Sequence, residues 1–144
     1  MSEAAAMNRP TLTGVTPYIN VDGASEASAF YQRAFGAEEM GRIPDRDGRR
    51  LLHCHLAING GHLMISDLFP EMGLSRQSSD NFTMHLQVDD IDAWWKRAVE
   101  AGAEVVKEVD LMFWGDRYGE LRDPFGVRWS MGQTVGEFKA PEWA

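Results

Sequence analysis

Thr16-Pro17-Tyr18-Ile19-Asn20-Val21-Asp22 returns 67 residues later as Thr83-Met84-His85-Leu86-Gln87-Val88-Asp89. Two further echoes follow in the same order. Ala34-Phe35-Gly36-Ala37-Glu38 matches Glu100-Ala101-Gly102-Ala103-Glu104, and the turn Ile58-Asn59-Gly60-Gly61 matches Asp123-Pro124-Phe125-Gly126. An offset that drifts by a residue at each step is the mark of small insertions in a duplicated unit. Residues 14–67 and 81–132 therefore read as two copies of one module.

Tyr18–Val21 and His85–Val88 alternate polar with apolar, which predicts half-buried strands. In the second copy Ile91, Trp94, Trp95, Ala98 and Val99 form an apolar helical stripe, with Asp89 or Asp90 as cap and Gly102 as terminator. In the first copy Ala27, Phe30, Tyr31, Ala34 and Phe35 do the same, with Ser25 as the expected cap and Gly36 as the stop. Three more strands complete each copy, around 38–43, 51–58 and 62–67, then 104–109, 117–122 and 127–132. Asn59-Gly60 suits a two-residue type I′ hairpin, and Asp123-Pro124-Phe125-Gly126 a three-residue loop with Gly126 left-handed. Each module is βαβββ. A module alone buries its helix and sheet poorly, so 14–132 is expected to form one domain. It has a linker at 68–80 and tails at 1–13 and 133–144.

The chain has 144 residues, 44% hydrophobic and 25% charged, with a net charge of −8. That supports a packed core without a disulfide or metal, and argues against nucleic acid as a partner. No apolar run exceeds about four residues, far short of the roughly twenty a membrane span needs. The start has no signal-peptide pattern and there is a single cysteine, Cys54, so the expected compartment is the cytoplasm. No glycine-rich phosphate loop, Cys-x-x-Cys pair or nucleophile elbow is present.

A tandem βαβββ repeat of this size resembles the vicinal oxygen chelate superfamily of glyoxalases, bleomycin-resistance proteins, fosfomycin-resistance enzymes and extradiol dioxygenases. Thr16-Pro17-Tyr18-Ile19, Phe30-Tyr31 with Ala34-Phe35-Gly36-Ala37, Phe113-Trp114-Gly115-Asp116-Arg117-Tyr118-Gly119 and Arg122-Asp123-Pro124-Phe125-Gly126 resemble its PhnB-like branch. The resemblance implies an α+β fold, with two modules forming a cupped mixed, mostly antiparallel sheet around a cleft and the helices outside. It also implies a homodimer. In metal-using members, His and Glu from the first and last strands of each module hold a divalent ion that chelates neighbouring substrate oxygens. Counted from Val21, Val88 and the two hairpins, those positions fall here on Thr16, Met64, Thr83 and Ser130. None is a His or Glu, so no standard divalent metal site is expected and the cofactor is left unknown.

Strand parity names what would line the cleft instead: Tyr18, Asn20, His53, His55, His85, Gln87, Tyr118, Glu120, Arg122, Arg128 and Ser130. Leu52, Cys54 and Leu56 are expected to face the helix. Cys54 then reads as a small buried residue with no base on its side of the strand. His53, His55 and Glu120, with His85, are the right types for a relocated metal or acid–base site, and His55 and Glu120 are the catalytic candidates. The plainer alternative is a polar wall. Trp114 is placed to cover a planar ligand, or else to serve as a core or dimer contact, and Arg128 to hold an anionic group. Of Trp94, Trp95 and Trp129, at least two read as core. Asp116, Arg117, Arg122 and Asp123 are candidates for one fixed charge network.

The expected function is binding of a small organic molecule, through Tyr18, His53, His55, His85, Trp114, Tyr118, Glu120 and Arg128. The alternative is a glyoxalase-like lyase or isomerase, metal-dependent or acid–base, built on His53, His55, His85 and Glu120. A third reading is an interaction module with a vestigial cleft.

Overall fold

A computed structural model describes residues 12–76 and 80–143, and the chain divides at the linker into two units, Met1–Gln77 and Ser78–Ala144. The first carries β1 (Tyr18–Val21), α1 (Ala24–Phe35), β2 (Glu38–Pro44), β3 (Leu51–Ile58) and β4 (Gly61–Asp67). Its sheet runs β1-β4-β3-β2, with β1 parallel to β4 and the other pairs antiparallel. Asn59 and Gly60 both take positive φ, 49° and 79°, as a type I′ hairpin demands. The α1 stripe meets one face of this sheet: Phe30, Tyr31, Ala34 and Phe35 are buried with Ile19, Val21, Cys54, Leu56, Leu63 and Ile65. Burying one such large side chain contributes about 1.5–3 kcal/mol.

Two expectations for this module are corrected. Ser25 does not cap α1. The N-cap position is Gly23, two residues earlier, and the buried Asp67 at the end of β4 does the capping. Its Oδ1 accepts from the backbone N–H of Gly23 (2.9 Å) and Ala24 (3.0 Å), and its Oδ2 from Leu51 N–H (2.7 Å). The carboxylate comes from 44 residues away, which local reading cannot see. Leu52 does not face the helix either. Ile43 pairs with His53 but Pro44 pairs with Leu51, so Leu52 is the extra residue of a bulge. The bulge flips the parity, leaving Leu51 buried and Leu52 exposed.

The second unit repeats the order: β5 (Met84–Gln87), α2 (Ile91–Ala101), β6 (Glu104–Leu111), β7 (Asp116–Arg122) and β8 (Arg128–Thr134), with sheet order β5-β8-β7-β6. β5 is parallel to β8 and the rest are antiparallel. Asp90 caps α2 by accepting from Ala93 N–H, and Gln133 Oε1 accepts from Ile91 N–H. The Asp123–Gly126 turn is as expected, with Gly126 at φ 87°. Buried Asp123 ties it together, accepting from Phe125 and Val127 N–H and from Trp129 Nε1.

The tryptophans divide differently from the core reading. Trp129 is buried, but Trp94 and Trp95 are only half-buried, and of α2 only Ile91 and Ala98 are fully covered. Trp95 lies over Gly119 so closely that a Cβ there would sit 2.6 Å from the indole. Trp94 carries the Arg97 guanidinium over its ring, 4.6 Å from the centroid.

Outside the modules' strands, Pro70–Met72 forms a 3-10 turn, and buried Phe69 lies under the Arg50 guanidinium. Val135, Gly136 and Lys139 donate backbone hydrogen bonds to the loop carbonyls of Gly115 and Phe113. Among the described residues no helix is long and apolar enough to cross a membrane.

Candidate functional site

Each sheet has one face against its helix and one lined by polar and aromatic side chains. In module 1 the second face carries Tyr18 and Asn20 from β1, His53 and His55 from β3, and His62, Met64 and Ser66 from β4. The register sets this, with Tyr18 opposite Met64, Met64 opposite His55, and His62 opposite Ala57. The Tyr18 hydroxyl is 2.9 Å from His53 Nδ1 and their rings are 5.5 Å apart. Burial pushes the Tyr18 phenol above its ordinary pKa. His55 is buried, and its Nε2 is 3.0 Å from Nδ1 of His62. Burial first, then the neighbouring His62 and His53, hold the His55 imidazole below the usual histidine pKa. Asn20 donates to the Ser66 hydroxyl.

His62 is the residue that sequence reasoning missed. The signal was available: Met64 had been placed at a ligand position facing the cleft, and His62, two residues earlier on the same strand, must share its face.

In module 2 the same face carries His85 and Gln87, Asp116, Tyr118 and Glu120, and Arg128, Ser130 and Thr134. Two linked chains of hydrogen bonds cover it. Arg128 donates from Nε (3.1 Å) and Nη2 (2.8 Å) to one oxygen of Glu120, while the other oxygen accepts from the Tyr118 hydroxyl (3.1 Å). His85 lies between Ser130 Oγ and Gln87 Oε1, each at 2.7 Å. Gln87 turns its amide N–H to Asp116 and Thr134, so its carbonyl oxygen faces His85. That oxygen can only accept, which puts the His85 proton on Nε2 and leaves Nδ1 to accept from Ser130. Aromatic rings extend the surface: His85 stacks near Tyr118 (6.1 Å, 19°), and Trp114 meets Tyr118 edge-on at 5.4 Å. Burial raises the Tyr118 pKa.

Of the sequence-derived candidates, Tyr18, His53 and His55 fall on the face of module 1 and His85, Tyr118, Glu120 and Arg128 on that of module 2, with Trp114 in the β6–β7 loop against Tyr118. Two readings of chemistry change. Cys54 does have a carboxylate on its side of the strand, since Glu39 Oε1 accepts from its Sγ–H at 3.2 Å. The result is the opposite of activation: burial and the Glu39 charge push the thiol up to about 12. Asp116, Arg117, Arg122 and Asp123 do not form one network. Arg117 pairs with Asp92 and Arg122 with Asp80, while Asp116 accepts from Gln87 and Asp123 serves its turn. Among the described residues no three His, Cys, Asp or Glu side chains are grouped as metal ligands.

Residues 11–131 match the model of the Glyoxalase/Bleomycin resistance protein/Dioxygenase superfamily. The chain belongs to this superfamily. A Mycobacterium bovis relative, Mb0911c, is 42% identical over 134 residues, spanning 89% of this chain and 88% of its own. The solved structure of the Arabidopsis thaliana At5g48480 product is 30% identical and covers 84% of this chain and 98% of its own, with TM-score 0.64. The PhnB protein from Bacillus cereus shares the fold at 18% identity and TM-score 0.66, over 84% of this chain and 99% of its own. The tandem βαβββ architecture of the glyoxalase/bleomycin-resistance superfamily is thereby established for this chain, as its repeat predicted.

Proposed function

We propose that this superfamily member is a cytoplasmic homodimer that binds a small organic molecule on the polar faces of its sheets, without the metal quartet of its metal-using relatives. The observation that carries this reading is the surface of module 2. There Trp114, Tyr118 and His85 offer ring faces and edges to a planar or apolar group. Beside them, the Arg128–Glu120–Tyr118 chain offers fixed donors and acceptors for a polar one. Residue chemistry at the four ligand positions supports it too. Thr16 and Thr83 offer hydroxyls, Met64 a thioether, and the Ser130 hydroxyl is already bonded to His85. None supplies the imidazole or carboxylate that a hard or borderline divalent ion requires.

The acid–base lyase or isomerase reading has one observation in its favour. The run Ser130–His85–Gln87–Asp116 holds His85 in a defined tautomer, as a proton-transfer group needs.

The test is metal content per chain on tag-free protein, beside a His53→Ala/His55→Ala double variant, followed by a thermal-shift screen of aromatic and anionic small molecules. Protein free of divalent metal that is stabilised by a ligand, with the stabilisation lost in Trp114→Ala, is the expected result. Stoichiometric divalent metal in the parent, absent from the double variant, would replace this reading with that of a metalloenzyme. A monomer in sedimentation at micromolar concentration would remove the dimer.

A further inference from the structure

We propose that His55, His62 and Met64 of module 1 form a binding site for copper(I). The inference needs only module 1 and is independent of the ligand reading above. His55 Nε2 and His62 Nδ1 already approach to 3.0 Å, with ring planes 70° apart. Two imidazole nitrogens on one ion at about 2.0–2.1 Å from it stand only slightly further apart than that. Binding of the ion moves the donor ring's N–H proton to that ring's other nitrogen through solvent, and turns both rings so that their lone pairs converge on the metal.

The third donor comes from the sheet register. Met64 is the cross-strand partner of His55 and lies two residues after His62, so its side chain stands on their face of the sheet. His62 and Met64 are half-buried and His55 beside them is buried.

The donor set selects the metal. Two neutral imidazoles and a thioether carry no charge to offset a divalent ion. The facing groups around them, Tyr18, Asn20, His53 and Ser66, add no carboxylate. Glu38, opposite Ala57, stands a strand further from His62. Soft thioether ligands favour copper(I) over zinc, nickel or manganese.

The experiment is an anaerobic titration of the full chain with copper(I) against a coloured copper(I) chelator, with X-ray absorption on the loaded protein. One copper per chain, with nitrogen and a single sulfur in its first shell, is expected. His62→Gln and Met64→Leu, both at half-buried positions, should each weaken binding by at least the about 10–100-fold that even indirect losses around a metal cause. His85→Gln in module 2 should leave copper affinity unchanged. Should a variant prove unfolded in a urea titration, the sulfur signal of the parent decides alone. No copper retained against the chelator, no sulfur in the shell, or a folded Met64→Leu chain that binds as the parent does would each overturn the proposal.

Discussion

Modules 1 and 2 share an element order and a sheet topology, yet they are held together by different means. In module 1 the helix is sunk in its sheet, with Phe30, Tyr31, Ala34 and Phe35 all buried. A buried carboxylate, Asp67, anchors both the helix start and the neighbouring strand. In module 2 the matching strand position is Gln133, whose neutral amide takes a single helix N–H, and Asp90 supplies the remaining cap from inside the local sequence. The second helix leaves two indoles half-covered. The polar faces differ in kind as well: imidazole pairs on one, a charged and aromatic network on the other. Duplication preserved the backbone, which strand pairing enforces, and let each face and cap find its own solution.

The widest gap is expected in the helix cores. Phe30→Ala should cost about 3–5 kcal/mol in urea unfolding, as removal of a buried ring does. Trp94→Ala should cost about 1 kcal/mol, the value of a partly exposed ring with its cation partner. If Trp94→Ala costs as much as Phe30→Ala, α2 is covered in solution by something beyond its own module, and a second copy of the chain is the first to test by sedimentation.

The caps come next. Asp67→Ala strands three buried or partly buried N–H groups and should cost about 3 kcal/mol or more. Gln133→Ala removes one bond and should cost about 1 kcal/mol. Equal penalties would mean that the two helix starts are held alike.

The smallest effect is a pH dependence confined to module 1. Because the folded chain holds the His55 pKa down, unfolding takes up a proton at mildly acidic pH. The stability from this group is complete above the unfolded value of about 6.5 and is lost as pH falls through the lower folded value. The urea midpoint should therefore drop between about pH 7 and about pH 5, and drop less in His55→Gln. A variant with the parent's slope would remove His55 from the account.

Much of the site was legible because strand parity is a local rule. His53 and His55, or Tyr118 and Glu120, share a face whatever surrounds them, and a period of two needs no tertiary information. The rule fails at Leu52, where a bulge shifts the count, and it extends to His62, which stands on the same side of β4 as Met64. Contacts were beyond it. Nothing in 23–25 says that α1 is capped by Asp67, or that Arg117 reaches Asp92 in place of its sequence neighbours.

The sequence by itself determined the duplicated βαβββ unit, the hairpin turns at Asn59-Gly60 and Asp123–Gly126, and the alternation of side chains along each strand outside the Leu52 bulge. Periodicity and turn chemistry act over a few bonds, so a short stretch of chain carries them completely. Only the tertiary structure decided which groups meet: Asp67 under α1, Glu39 against Cys54, Gln87 holding His85, and His55 against His62. Those pairings depend on distances set by strand register and helix docking. Such distances are properties of the packed whole, and no segment of the chain contains them alone.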